Sequence, residues 1–278
     1  MSEVSGVGFC SLMLPGELPV FVFYPSDGVE AEHVVGRYTL IVALDGSVSA
    51  RSRCLVVISH GSGGSPLTHR NLALCLARDG FVVALLEHPG NNRVDNRLAQ
   101  DTANLEMRPR HVLEVVDWFW ASERFGPFAA VGLVGHSMGG YTVLMAARDA
   151  RVGGLVLLAP AVAWLTQTGA LDHVRVPVLM FTGELDTITT DWHANVIRMG
   201  LASDVEFEEE VVAKAGHYSF LSPFPEGMEQ DPAGFDREGF HARLARRVSM
   251  AFRTVRMLES MGTTPETVRS ANLAVGRT

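Results

Sequence analysis

Cysteine is scarce in this chain, lysine is nearly absent, and no apolar run is long enough to cross a bilayer. The three cysteines, Cys10, Cys54 and Cys75, leave no even disulfide set. Cys54 opens an apolar run and Cys75 falls in a helical pattern, so both read as small buried hydrophobes. No Cys/His cluster has zinc spacing. Lys214 is the single lysine among 23 Lys and Arg residues, and the arginines are too scattered to form an anion site. A net charge of -8 speaks against a nucleic acid or an anionic membrane as partner. The beginning of the chain has no basic segment followed by a long apolar stretch. Residues 9–14 are too few for a signal segment or a membrane span, so a cytoplasmic protein is the expectation.

What is present is the making of a core. Hydrophobic residues are 47% of the 278 and charged residues only 19%, which excludes a disordered chain. Short apolar runs at 55–59, 81–86, 129–134, 155–159 and 178–182 suit strands buried on both faces of a parallel sheet. Helical patterns at 67–78, 105–122, 137–148 and 192–199 lie between or after them. The acidic stretch 205–212 reads as an edge strand, and 240–258 as a closing helix. Strands 20–24 and 38–43, with a polar turn at Asp27-Gly28 between them, have no helix to separate them and are expected to form an antiparallel start within residues 1–45. The tail 262–278 lacks periodicity and reads as mobile. The alternation predicts an α/β fold, a mostly parallel sheet with helices on both faces, in one domain over residues 1–278.

One motif carries chemistry. Gly135-His136-Ser137-Met138-Gly139 fits the G-x-S-x-G pattern, with an apolar strand before it and a helical pattern after it. A strand-turn-helix elbow strains the serine and exposes its hydroxyl, and its glycines avoid collisions with the adjoining elements. A serine hydroxyl is a weak nucleophile and needs a base held by an acid. Asp186 and His217 each follow a strand, where active-site groups of open α/β sheets collect. They are preferred to Glu184 as the acid and to His193 and His241 as the base. The loop His60-Gly61-Ser62-Gly63-Gly64 follows the strand 55–59. Its backbone amides are placed to hold an oxyanion. The expected donors are the amides of Ser62, with Gly63 as the alternative, and Met138. His60 is expected to shape that loop by hydrogen bonding.

With these residues the chain resembles the α/β-hydrolase superfamily. More narrowly it is similar to the dienelactone-hydrolase-like group that includes platelet-activating-factor acetylhydrolase relatives. The segments carrying the resemblance are Tyr24-Pro25-Ser26, the 58–64 loop, Glu87-His88-Pro89-Gly90-Asn91-Asn92, the elbow with Gly140, and Ala215-Gly216-His217-Tyr218. The resemblance implies an α/β-hydrolase fold and hydrolysis of small or medium carboxylic esters through an acyl-enzyme, without cofactor. Dienelactone hydrolases proper carry a cysteine nucleophile. Ser137 in that place favours esterase chemistry over dienelactone.

Only about sixteen residues separate Ala159 from Val176, room for a minimal cap and a rather open site. Trp164 in that segment, Trp192 after the acid and Tyr218 beside the base are candidates to wall a substrate pocket; packing on the sheet is the alternative for each. The expected partner is a small-molecule ester. A thioesterase, polyester hydrolase or peptidase would use the same residues. A non-catalytic binding protein on this scaffold would lack one of them.

Overall fold

The computed structural model describes residues 6–49, 54–223 and 231–260. Within them lie strands β1 (Gly6–Leu14), β2 (Leu18–Ser26), β3 (Ala31–Val35), β4 (Tyr38–Leu44), β5 (Cys54–Ser59), β6 (Val82–Leu86), β7 (Ala130–His136), β8 (Val152–Leu158), β9 (Val178–Gly183) and β10 (Phe207–Val212). The helices are α1 (Arg70–Arg78), α2 (Asn104–Trp120), α3 (Met138–Ala146), α4 (Asp191–Gly200) and α5 (Arg237–Ser260). The strands form one sheet in the order β10-β9-β8-β7-β5-β6-β2-β1-β4-β3. From β10 to β6 every neighbour is parallel, and β2 and β1 continue antiparallel.

The period of two in the strands sorts their side chains into two cores. Along β5, Leu55 and Val57 join one cluster with α2, α3 and α4 through Val112, Val116, Val143, Leu144 and Ile197. Cys54, Val56 and Ile58 join the other with α1 and α5 through Leu72, Leu76, Val248 and Phe252. Each fully buried Val, Leu or Phe contributes roughly 1.5–3 kcal/mol. Both faces are therefore covered, which is why these strands read as unbroken apolar runs rather than alternating ones. A Cβ on Gly132 of β7 would stand 2.6 Å from the Phe252 ring, so the missing side chain is the space that seats α5.

Chain order reverses between β5 and β7: β6 lies on one side of β5 and β7 on the other. Two loops leaving the carboxyl ends of these strands part there and open a crevice, the usual ligand position in open α/β sheets. Between β8 and β9 the chain makes only turns, so no helical cap stands over that crevice.

The start of the chain differs from the sequence expectation. The segments at 20–24 and 38–43 do not pair with each other, because β1 lies between them. It runs antiparallel to β2 over its whole length and parallel to β4 at Gly8 and Phe9. The 9–14 run, too short for a membrane segment, is part of this strand. The partner of β4 on its other side is β3. Cys10 and Cys54 are buried, but Cys75 is exposed: the apolar stripe of α1 runs through Leu72, Ala73, Leu76 and Ala77 and leaves Cys75 off it. At the opposite end of the sheet, β10 carries Glu208, Glu209 and Glu210. Arg247, Arg198 and Arg243 pair with them from α5 and α4. The tail 262–278 lies outside the described residues. Among the described residues no helix is long and apolar enough to cross a membrane.

Candidate active site

The elbow follows from two close approaches. A Cβ on Gly139 would lie 2.1 Å from the Ser59 carbonyl oxygen, and one on Gly135 would lie 2.1 Å from the Gly139 carbonyl oxygen. Only hydrogen fits at either position, so the start of α3 can press onto β5 and β7. Ser137, squeezed between strand and helix, takes φ 53° and ψ -123°. For a residue with a side chain this conformation costs on the order of 1–3 kcal/mol, held by the surrounding structure. The clamp is visible. Ser137 N–H donates to the Leu158 carbonyl at 3.0 Å, and the Ser137 carbonyl accepts from Ala161 N–H at 2.8 Å.

Asp186 and His217 meet. Asp186 Oδ2 lies 2.9 Å from His217 Nδ1, and both side chains are almost wholly buried. Asp186 Oδ1 accepts the backbone N–H groups of Ile188 and Thr189, each at 2.8 Å, and Oδ2 accepts the Thr189 hydroxyl at 2.6 Å. Burial pushes this carboxyl up, but the bonds from His217 and Thr189 outweigh it and hold the carboxyl below its ordinary range. The rivals have other work. Glu184 accepts Lys214 N–H at 2.7 Å, His193 Nδ1 accepts Val162 N–H at 3.1 Å, and His241 Nε2 bonds the Ser219 carbonyl at 3.0 Å.

His136, inside the elbow, is fully buried, and burial with His217 nearby pushes its pKa down to about 3. The ring is neutral at pH 7, and its Nε2–H donates to the His217 carbonyl at 3.1 Å. The residue before the serine therefore steadies the backbone of His217. Its sequence signal was only the first variable position of G-x-S-x-G. Thr189, three residues after Asp186, was also missed; a hydroxyl at that spacing is the cue for a turn that caps a carboxylate.

Gly61, Ser62, Gly63, Ser137, His136, His217 and Tyr218 line one open cleft of about 550 Å³, together with Ile188, Leu221 and Arg93. Gly61 stands so close that a Cβ there would be 3.1 Å from Ser137 Cβ. Among the described residues the Ser62 N–H has no protein acceptor, and Met138 opens α3, where helix N–H groups have no partner within the helix. His60 does shape the loop: its Nδ1 bonds the Gly61 carbonyl at 2.7 Å, and its Nε2 accepts His88 N–H at 3.3 Å. Trp164 and Trp192 are not among the residues lining this cleft. Trp164 packs edge-on against Tyr141 at 5.6 Å and borders a small separate hollow beside Met138, while Trp192 meets His193 edge-on at 4.9 Å. Glu87 and His88 do not line the cleft either. His88 is buried, with Nε2 2.8 Å from Ser59 Oγ.

Residues 55–176 match the family model described as alpha/beta hydrolase fold. The chain has the α/β-hydrolase fold. Solved structures agree with this fold assignment over most of the length. A ferulic acid esterase from Streptomyces cinnamoneus superposes with a TM-score of 0.67 at 18% identity, covering 89% of each chain. A dienelactone hydrolase from Anabaena variabilis gives 0.60 at 18%, covering 91% of this chain and 99% of its own. A "predicted CIB-like hydrolase" from Thermoplasma acidophilum gives 0.59 at 15%, covering 88% and 99%. Among curated proteins none matches the chain. In this fold Ser137 follows β7, the strand next to β5, and Asp186 and His217 follow β9 and β10. Ser137, Asp186 and His217 thus reach one crevice from three separate strand ends.

Proposed function

We propose that the protein is a serine esterase acting on small to medium carboxylic esters, with Ser137 as nucleophile, His217 as base and Asp186 as its orienting acid. The observation that carries this reading is the buried Asp186–His217 pair, 2.9 Å apart, opening with Ser137 onto one cleft. His217 takes the Ser137 proton as Oγ bonds to the ester carbonyl carbon. Asp186, ionised and capped by Thr189, holds the ring and stabilises its charged form. The carbonyl oxygen becomes an oxyanion held by the Ser62 and Met138 N–H groups. Collapse breaks the bond to the alcohol, which leaves with the proton from His217. Water then attacks the acyl-serine, giving up its proton to His217. The carboxylic acid departs and Ser137 recovers the proton.

The connection between β8 and β9, which makes only turns, supports esters that arrive in solution, and Tyr218, Ile188 and Leu221 offer apolar surface to the acyl or alcohol group. The names of the structural neighbours point the same way, toward esters and lactones. The test is turnover of p-nitrophenyl esters of increasing acyl length by the wild type and by Ser137→Ala. Turnover lost in the variant supports the reading; turnover retained sinks it.

A further inference from the structure

Arg108 lies on the buried stripe of α2 with Val112, Val115 and Phe119, and its side chain is fully buried. No carboxylate among the described residues faces it; burial alone pulls its pKa down, to about 9, so the guanidinium stays charged at pH 7. A buried, unpaired charge strongly opposes folding. What it touches gives a reason for keeping it. One nitrogen, Nη1, donates to Asn91 Oδ1 at 2.6 Å and lies 3.7 Å from Met138 Sδ. The other, Nη2, donates to the His60 carbonyl and to Ser59 Oγ at 3.3 Å. Asn91 in turn donates to Ser62 Oγ at 3.1 Å. The arginine thus grips the 60–64 loop at two points, His60 directly and Ser62 through Asn91.

Peptide planarity converts these grips into aim. Arg108 fixes the plane between His60 and Gly61 by its carbonyl. The Gly61 carbonyl accepts His60 Nδ1–H and, at 3.1 Å, Gly64 N–H, which fixes the next plane. In a trans peptide the N–H points opposite to the carbonyl, so the bonds to the Gly61 carbonyl set the direction of Ser62 N–H, and Arg108 bears on it through the adjoining His60–Gly61 plane and through Asn91. We propose that Arg108 is the positioning residue of the oxyanion loop, holding the Ser62 amide in line with Ser137 and placing a positive charge beneath the oxyanion. This rests on the reading of Ser137 as nucleophile. In desolvated surroundings such a charge favours an anion far more than it would in water.

The test measures kcat and KM on p-nitrophenyl esters, and the affinity of a trifluoromethyl ketone whose serine adduct mimics the oxyanion, for Arg108→Met, Arg108→Lys and Asn91→Ala. Arg108→Met is expected to lower kcat about 100-fold, the scale of a lost oxyanion donor, with KM nearly unchanged, and to weaken the ketone by a similar factor. Arg108→Lys recovers part of the loss by restoring the charge. Asn91→Ala, which leaves the arginine in place, shows a smaller parallel loss and decides the matter if Arg108→Met does not fold. Folded variants with lower Tm but wild-type kcat and ketone affinity would show a purely structural arginine and overturn the proposal. A wild type that neither turns over esters nor labels at Ser137 overturns the esterase reading itself, and the positioning role with it.

Discussion

The hydroxyl of Thr189 donates to Asp186 Oδ2 over 2.6 Å and stands 3.2 Å from His217 Nδ1. It sits at the joint between Asp186 and His217, and it also reaches the Ala159 carbonyl at 3.2 Å. Together with His217, it offsets the burial of Asp186 and holds that carboxyl below its ordinary range.

Replacing it tests that. Thr189→Val keeps the shape and removes the hydroxyl. The Asp186 carboxyl should rise toward its ordinary pKa, read by NMR as a carboxyl titrating at higher pH than in the wild type. A rate loss of about tenfold is expected, since a lost hydrogen bond to a charged group is worth about 1.5–3 kcal/mol and part of this bond persists through backbone donors. Thr189→Ser should behave as wild type. An unmoved Asp186 titration in the valine variant would count against the role.

Gly139→Ala adds one carbon where the Ser59 carbonyl already stands, 2.1 Å away. The helix start must move off β5. We expect a stability loss of roughly 3 kcal/mol or more, comparable to severe overpacking, and no labelling of Ser137 by a fluorophosphonate. Denaturant melts and probe labelling read the two effects separately.

Phe252→Ala empties the contact between α5 and Gly132. The expected cost is about 3–5 kcal/mol, the range for a buried phenylalanine. Because the helix lies on the face of the sheet remote from α2 and α3, kcat of the surviving folded enzyme should be near wild type at low temperature. A loss under 1 kcal/mol would mean that α5 is not anchored there.

Acid should unfold this protein early. Burial pushes His60 and His136 down to about 3, and His69 and His88 well below the ordinary histidine value of 6.5. The folded state refuses protons that the unfolded chain accepts. Their contribution is complete above pH 6.5 and is lost as pH falls from there toward the folded values, with a slope of about 1.4 kcal/mol per pH unit for each group. Urea midpoints between pH 7.5 and 5 should fall steeply. Neither ring nitrogen of His69 has a hydrogen-bond partner among the described residues. His69→Met should therefore flatten the slope by one proton while costing little at pH 7.5. A pH-independent midpoint would refute this account.

Much of the architecture was legible because the parallel strands and amphipathic helices announce themselves by local pattern. The runs around Val56, Val131 and Val156 are apolar on both sides since both sides are covered. The antiparallel start was harder. Gly6–Leu14 and Ala31–Val35 become strands through pairing with β2 and β4, and β3 shows no apolar alternation of its own. At the site, Ser137, Asp186 and His217 could be named from strand-end positions. Thr189, His136 and Arg108 could not, since their roles depend on what crosses them from distant segments. Arg108 left one trace: a charged residue in register with Val112, Val115 and Phe119 on a helix whose buried stripe is otherwise uncharged. Trp164 and Trp192 drew notice by size and position, but both stay exposed outside the cleft, each with one edge contact, to Tyr141 and His193.

The acidic strand at one margin of the sheet has a consequence for how molecules of this protein meet. An unprotected outer strand offers its open backbone groups to any extended segment and so seeds aggregation. Here such a segment must pass Glu208, Glu209 and Glu210, held in place by arginines from α4 and α5. The same ion pairs that fasten those helices to the sheet thus keep neighbouring molecules from extending it, a safeguard that concentrated salt would weaken chiefly at the exposed Glu208 carboxylate.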